Sequence, residues 1–261
     1  MSELQRRLSN ASAVRVLYLG MFGQLSLIPL QLLLEAGVDV CGVVVPVMTT
    51  AADHTPLTEL RPPPVVSELP LLNRYVEQTV VQLAWAHNIP VYEVSRFTAA
   101  ETLATLAALR PTVGCVSCFS KRLPTRFLAL VPDGFLNMHP SLLPAYRGPA
   151  PLFWVLREGQ RRNGVTVHMM EAQLDHGDIV GQNSFALADG LSSEELEQQH
   201  ATAGGRLLVQ AIEQLKHGRL QGRPQGEGGT YYSWPRGADF QLERQWSARR
   251  VFNFMRGTAE W

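Results

Sequence analysis

Asn137 and His139 occupy positions i and i+2 of a short apolar run, "FLNMH", which stops at Pro140 and is followed by Pro144, Gly148 and Pro149. In an extended strand, side chains two residues apart project to the same face. An amide and an imidazole are thereby aimed at one point, and the prolines hold the exit backbone away from further regular structure. That geometry suits a site that fixes a donor amide and an imidazole against one substrate atom. The same two side chains could instead cap the strand and bond loop backbone. "LDHGD", residues 174–178, adds Asp175 and Asp178 in a turn. A carboxylate beside an imidazole holds one tautomer and raises its pKa, although Asp and Gly also make ordinary turns. His168, in "GVTVHMM", reads either as a partner of that site or as a core imidazole.

Other patterns carry less chemistry. "GMFGQ", Gly20 to Gln24, sits where a phosphate-binding turn could follow the first strand, but it matches neither G-x-G-x-x-G nor Walker A spacing. Cys115 and Cys118 in "CVSC" have redox or zinc spacing. They lack a second pair and fall inside an apolar strand pattern, where residues three apart face opposite sides. They read as structural, and with Cys41 the chain has three cysteines, too few and too odd in number for a disulfide framework. No metal site is expected. Phe153 and Trp154 read as packing residues.

These residues must be positioned by the elements around them. Residues 14–19, "VRVLYL", form a buried-strand pattern closed by Gly20, residues 24–36 an apolar helix stopped by Gly37, and "VDVCGVVVP" a second strand. From Pro46 to about Pro70 the chain is dense in proline and reads as a long loop. Helical spacing resumes over 71–89, "PVYEV" is a brief strand, and a helix follows from a Thr98 N-cap. "TVGCVSCF", "DGFLNMH", "GVTVHMM" and "IVGQNSFAL" are further strands, with a helix over "PAPLFWVLREG" and a long one N-capped at Ser192. Alternating strands and helices over 13–217 predict one doubly wound α/β domain with a mostly parallel sheet. In such sheets ligands sit beyond the carboxyl ends of the strands, where Asn137 and His139 fall. Residues 1–12 read as a flexible N-terminus. After Gly218, glycines, prolines and aromatics predict a small irregular C-terminal extension over 218–261, closed by a helix in "SARRVFNFMRG".

Composition narrows the function classes. The 261 residues are 46% apolar and 18% charged, with 23 basic and 23 acidic side chains. A net charge of zero gives no overall drive toward nucleic acid or anionic membrane. No signal peptide and no membrane span is legible, so a cytoplasmic protein is expected.

Asn137-Met138-His139-Pro140-Ser141-Leu142-Leu143-Pro144, then Arg147-Gly148, then "GVTVH" and "LDHGD", together resemble the folate-dependent formyltransferase family. That family includes methionyl-tRNA formyltransferases, glycinamide ribonucleotide transformylases and amino-sugar N-formyltransferases. The resemblance covers about residues 13–215, and the tail from "TYYSWPRGADF" onward is most similar to the methionyl-tRNA and sugar members. It implies a Rossmann-like domain that uses 10-formyltetrahydrofolate as co-substrate, with Asn137, His139 and Asp175 as catalytic residues. It places the folate at Phe119, Lys121, Leu123, Glu171 and Asp175, under a loop at 171–175. The acceptor is expected near Gly20 and Phe22 and at Ser141, Arg147 and Gly148. In the implied chemistry an amine attacks the formyl carbon, while Asn137 and a protonated His139 hold the oxyanion. Asp175 supports that imidazolium and organises a water for proton transfer.

The chain departs from the family at the acceptor. Within residues 46–73 the basic side chains reduce to Arg61, with Arg74 just beyond, and the sequence stops at Trp261 without room for a tRNA-gripping barrel. A small-molecule amine, such as a nucleotide-linked amino sugar or a biosynthetic intermediate, is therefore the expected acceptor, with methionyl-tRNA second. A formyltetrahydrofolate hydrolase and a non-catalytic folate-binding protein are the readings from other classes. His176 stands where many members have a small residue.

Overall fold

Along β1 (Arg15–Gly20), Val16 and Tyr18 join one buried cluster and Leu17 and Leu19 another, so this strand is covered on both faces. Parallel strands need that double cover, because their crossovers lay helices on the sheet. The computed structural model describes residues 14–47, 55–63 and 78–261. After β1 come α1 (Gln24–Glu35), β2 (Asp39–Pro46), β3 (Leu57–Leu60), α2 (Val80–Ala86), β4 (Val91–Val94), α3 (Ala100–Ala108), β5 (Val113–Ser117) and α4 (Thr125–Leu128). The second half holds β6 (Phe135–His139), α5 (Pro151–Arg157), β7 (Arg162–Met169), β8 (Ile179–Ala186), α6 (Ser193–Lys216), a 3-10 turn (Gly237–Phe240) and α7 (Ala248–Gly257).

The eight strands form one sheet in the order β3-β4-β2-β1-β5-β6-β7-β8. β4, β2, β1, β5 and β6 are parallel, β3 is antiparallel at one edge, and β7 and β8 are antiparallel at the other. The α/β, mostly parallel architecture matches the sequence expectation. The chain reverses its direction of winding between β1 and β5, which opens a crevice at the carboxyl ends of the central strands.

α6 lies over β6, the strand that ends in Asn137 and His139. Gly204 permits the approach, since a Cβ there would stand 2.1 Å from Met138 Sδ. The helix starts where the sequence predicts, with Ser192 and Glu195 forming a reciprocal capping box. On the opposite face Phe97, Phe127 and Phe135 make an edge-to-face and tilted aromatic cluster beneath the site strand.

Three local expectations differ. The proline-rich segment contains β3, because Leu57 to Leu60 add a short pairing to the edge of β4. The N-cap of α3 is Ala99 without a side-chain bond, while Thr102 donates to Arg96 O at 3.0 Å from inside the first turn. β5 ends at Ser117, so Cys118 lies past the strand, with φ 53 and exposed, rather than inside it. The expected flexible residues 1–12 and the start of the 71–89 helix lie outside the described residues. The tail packs on the main body, with Trp246 and Phe254 in the same cluster as Phe153. No helix among the described residues is long and apolar enough to cross a membrane.

Candidate active site

The antiparallel ladder between β6 and β7 sets Asn137 opposite His168 and His139 opposite Thr166. His168 Nδ1 is 2.8 Å from Met169 O. A carbonyl only accepts, so Nδ1 carries a proton and donates. The other ring nitrogen, Nε2, then accepts from Asn137 Nδ2 at 3.0 Å. One Asn137 N–H is occupied in this way, the amide is locked in one orientation, and its second N–H is left for a ligand. Sequence left His168 open between site and core; it is both buried and bonded to the site amide.

His139 is fixed by the same logic. Its Nε2 lies 2.8 Å from Tyr146 O and donates to it, which leaves Nδ1 facing Asp175 Oδ1 at 3.8 Å. Asp175 has φ 57 and turns its carboxylate inward, where Oδ2 accepts from Gly148 N at 2.8 Å. Its Oδ1 also stands 3.7 Å from His168 Nε2. Both Oδ1 separations exceed a direct hydrogen bond, so one oxygen of the carboxylate stays available to a reacting group or a bridging water.

Burial lowers the His139 pKa below the ordinary 6.5, with His168 and Arg147 adding to that effect, and Asp175 and the Tyr146 carbonyl only partly oppose it. The imidazole is therefore neutral at pH 7, and its Nδ1 lone pair is a base pointing into the site. This differs from the standing imidazolium expected from sequence, because spacing does not reveal how deeply a side chain is buried. For Asp175, burial works to raise the pKa, but the facing imidazoles of His139 and His168 and the Gly148 N–H together hold it down at about 2. An ionised Asp175 is poised to stabilise a proton arriving on His139.

The loop carrying Asp175 is clamped by a residue that the sequence reading missed. Gln225 Nε2 donates to Asp175 O at 2.8 Å and to Gly177 O at 2.9 Å. Gln225 Oε1 accepts from Arg147 Nη2 at 2.7 Å, and Arg147 Nε donates to Asp175 O at 3.2 Å. A glutamine in a Gly/Pro-rich tail gives no sequence signal of this role.

A cavity of about 670 Å³ opens over these groups. Asn137, His139, Asp175 and His168 lie in its wall, as do Phe119, Lys121, Leu123 and Glu171 of the folate set and Gly148 of the acceptor set. Arg122 also lines it and donates to Ala172 O, tying the 119–123 segment to the 171–175 loop. The other expected acceptor residues lie elsewhere. Gly20 packs against Tyr18 and Ser26 at the end of β1, and Phe22 is 59% exposed outside the lining. Ser141 is fully buried and its hydroxyl donates to Ala145 O at 2.7 Å. Arg147 is buried against Gln225. Asp178 is also outside the lining, its carbonyl accepting from Met169 N. His176 is outside the lining, its Nε2 3.0 Å from Nε2 of Gln173, which does line the cavity. Among the described residues, no group of three or more His, Cys, Asp or Glu side chains is placed to hold a metal ion.

Residues 69–212 match the family described as formyl transferase. Over 183 residues the chain is 33% identical to the methionyl-tRNA formyltransferase of Pelobacter propionicus, a match covering 70% of this chain and 57% of that protein. The chain thus aligns with little more than half the length of this curated relative. The fold is similar to that of a sugar N-formyltransferase from a Shewanella species, with a TM-score of 0.63 and 14% identity over 94% of this chain and 88% of that one. It is similar as well to HypX from Aquifex aeolicus in complex with tetrahydrofolic acid, with a TM-score of 0.62 and 18% identity over 95% of this chain and 35% of that one.

Proposed function

The chain belongs to the formyl transferase family, and from that premise we propose that it transfers the formyl group of 10-formyltetrahydrofolate to the primary amine of a small-molecule acceptor. The observation that carries this reading is the convergence of Asn137, His139, His168 and Asp175 at the wall of one cavity, with one amide N–H, one imidazole lone pair and one carboxylate oxygen free to act. The folate-bound HypX neighbour and the five folate-set residues in the lining support the choice of donor.

In this account the acceptor nitrogen attacks the formyl carbon, and the carbonyl electrons move onto oxygen. The free N–H of Asn137 stabilises that oxyanion more than the ground-state carbonyl, which is the origin of the rate gain. His139 Nδ1 takes the proton released by the attacking nitrogen. Asp175 stabilises the resulting imidazolium, and Tyr146 O holds the ring in place. As the bond from carbon to N10 breaks, the proton passes from His139 to N10, leaving a formamide and tetrahydrofolate. The residues fit this sequence without a covalent intermediate.

Methionyl-tRNA is the second acceptor reading, favoured by the 33% identity to an enzyme of that name. The neutral charge balance supports the small amine, since phosphate contacts dominate affinity for nucleic acid. Supplying formyl-labelled co-substrate with amino-sugar nucleotides, glycinamide ribonucleotide or methionyl-tRNA, and following label into the amine, tests the assignment. Label in a small amine supports the first reading and label in tRNA alone the second. Label released only as formate overturns both in favour of hydrolysis.

A further inference from the structure

The register between β6 and β7 ends at His139 opposite Thr166, and the next residue, Pro140, has no N–H with which to extend a ladder. Earlier along β7, Asn163 and Gly164 stand opposite Phe185 and Ser184 of β8. The segment leaving β6 still runs against them, since a Cβ at Gly164 would stand 2.6 Å from Leu142 Cδ2. There a side chain takes over from the ladder. Asn163 Nδ2 donates to Pro140 O at 3.2 Å. The N–H of the same peptide unit, on Ser141, donates to His139 O at 2.8 Å. One peptide thus accepts from Asn163 and donates to the residue that carries the imidazole.

Asn163 is oriented in its turn by His200, and both side chains are buried. His200 Nδ1 lies 2.7 Å from Leu196 O, so that nitrogen carries the proton and donates. Its Nε2 then accepts from Asn163 Nδ2 at 2.9 Å. Both N–H bonds of the amide are committed, and a flipped amide would set its oxygen against two acceptors. Burial holds the His200 pKa down at about 4, which keeps the Nε2 lone pair free at neutral pH. Phe185 packs on the ring edge-to-face at 4.8 Å. His168 orients Asn137 by the same device, with the spare N–H left for a ligand; here the spare N–H goes to a backbone carbonyl.

We propose that Asn163, oriented by His200, is a positioning residue for His139: by holding the Pro140–Ser141 peptide it fixes the backbone from which the imidazole reaches Tyr146 O and Asp175. Held in this way, His139 keeps its proton on Nε2, toward Tyr146 O, and its Nδ1 lone pair toward Asp175. A loosened backbone lets the ring leave Tyr146 O, and the proton then distributes over both nitrogens. The kinetic side of this inference rests on the formyl-transfer reading, whereas the placement of the ring is measurable without substrate.

The test records the imidazole 15N signals of the full chain, with His139 assigned by their loss in His139→Ala, for Asn163→Ala, His200→Phe and His200→Gln. Beside them are read the kcat with whichever of an amino-sugar nucleotide, glycinamide ribonucleotide or methionyl-tRNA the wild type formylates, and the affinity for the non-transferring folate 5-formyltetrahydrofolate. Wild type is expected to show His139 protonated on Nε2. Asn163→Ala and His200→Phe are expected to shift that pattern toward a tautomer mixture and to lower kcat about tenfold, with folate affinity nearly unchanged. His200→Gln, whose amide oxygen restores the acceptor, is expected to recover both. Should Asn163→Ala not fold, His200→Phe decides on the same readouts. A His139 pattern that stays unchanged in the folded variants, or that changes with no loss of rate, overturns the positioning role and leaves formyl transfer standing. Failure of the wild type to formylate any of the three amines overturns the formyl-transfer reading instead.

Discussion

Asn137 Nδ2 lies 3.0 Å from His168 Nε2 across the β6–β7 ladder, so an imidazole on one strand sets the orientation of the amide on the next. Asn137→Ala removes the proposed oxyanion donor and is expected to lower kcat by about 10²–10³. His168→Phe keeps the ring volume but lets the amide rotate, and a smaller loss, about tenfold, is expected with folate KM nearly unchanged. His168→Gln, which restores an acceptor, recovers part of the rate. Equal effects on kcat and on thermal stability in all three variants would mean that His168 serves packing alone.

The pH profile follows from a His139 pKa below 6.5 and an Asp175 pKa of about 2. In the proposed mechanism His139 acts in its neutral form, so the acid limb of kcat/KM that disappears in His139→Ala is expected below pH 6.5. Measurement requires an acceptor whose own amine titration is known. A limb above 6.5 contradicts a neutral resting imidazole.

Stability has its own sign. The folded Asp175 pKa lies below its ordinary value of 3.8, so its contribution is present above about pH 4 and is lost as pH falls toward 2. For His139, also depressed when folded, the unfolded chain takes up a proton first, and stability is lost as pH falls below 6.5. Denaturant titrations at pH 7 and pH 3 are expected to show Asp175→Asn destabilised relative to wild type mainly at the higher pH.

Gln225 joins the tail to the loop carrying Asp175 through Asp175 O, Gly177 O and Arg147. Gln225→Ala is expected to reduce kcat about ten- to a hundred-fold by loosening the Asp175 backbone. Faster amide hydrogen exchange confined to residues 171–178 is the accompanying signature. An unchanged kcat with unchanged exchange would show that the loop holds Asp175 without the tail.

What was legible in the sequence was whatever depends on short-range pattern. The i, i+2 spacing of Asn137 and His139 on an apolar strand, the alternating strands and helices, and the Ser192 capping box all appear in the structure where the pattern put them. The small edge strand β3 was hidden because tertiary pairing with β4, not local propensity, makes it a strand. The His168 bond to Asn137 depends on ladder register, and the Gln225 clamp on where a turn-rich tail folds back. Neither leaves a local trace. The His139 charge state was misjudged for the same reason, since burial is a property of the assembled core.

The close approach of α6 to β6 has a measurable consequence. Gly204→Ala places a Cβ against Met138 Sδ and is expected to destabilise the fold by about 1–3 kcal/mol. Ser192→Ala removes only a cap and is expected to cost about 1 kcal/mol while leaving kcat unchanged. Denaturant midpoints for the two variants, read beside their kcat values, check both.

The most direct test of the account compares wild type with His139→Ala for tetrahydrofolate release from 10-formyltetrahydrofolate, in the presence and absence of each candidate amine, with the formylated amine quantified in parallel. Formyl transfer predicts amine-dependent release, one formylated amine per tetrahydrofolate, and a rate that collapses in His139→Ala while 5-formyltetrahydrofolate binding persists. Release that ignores every amine, or that proceeds undiminished without His139, contradicts it.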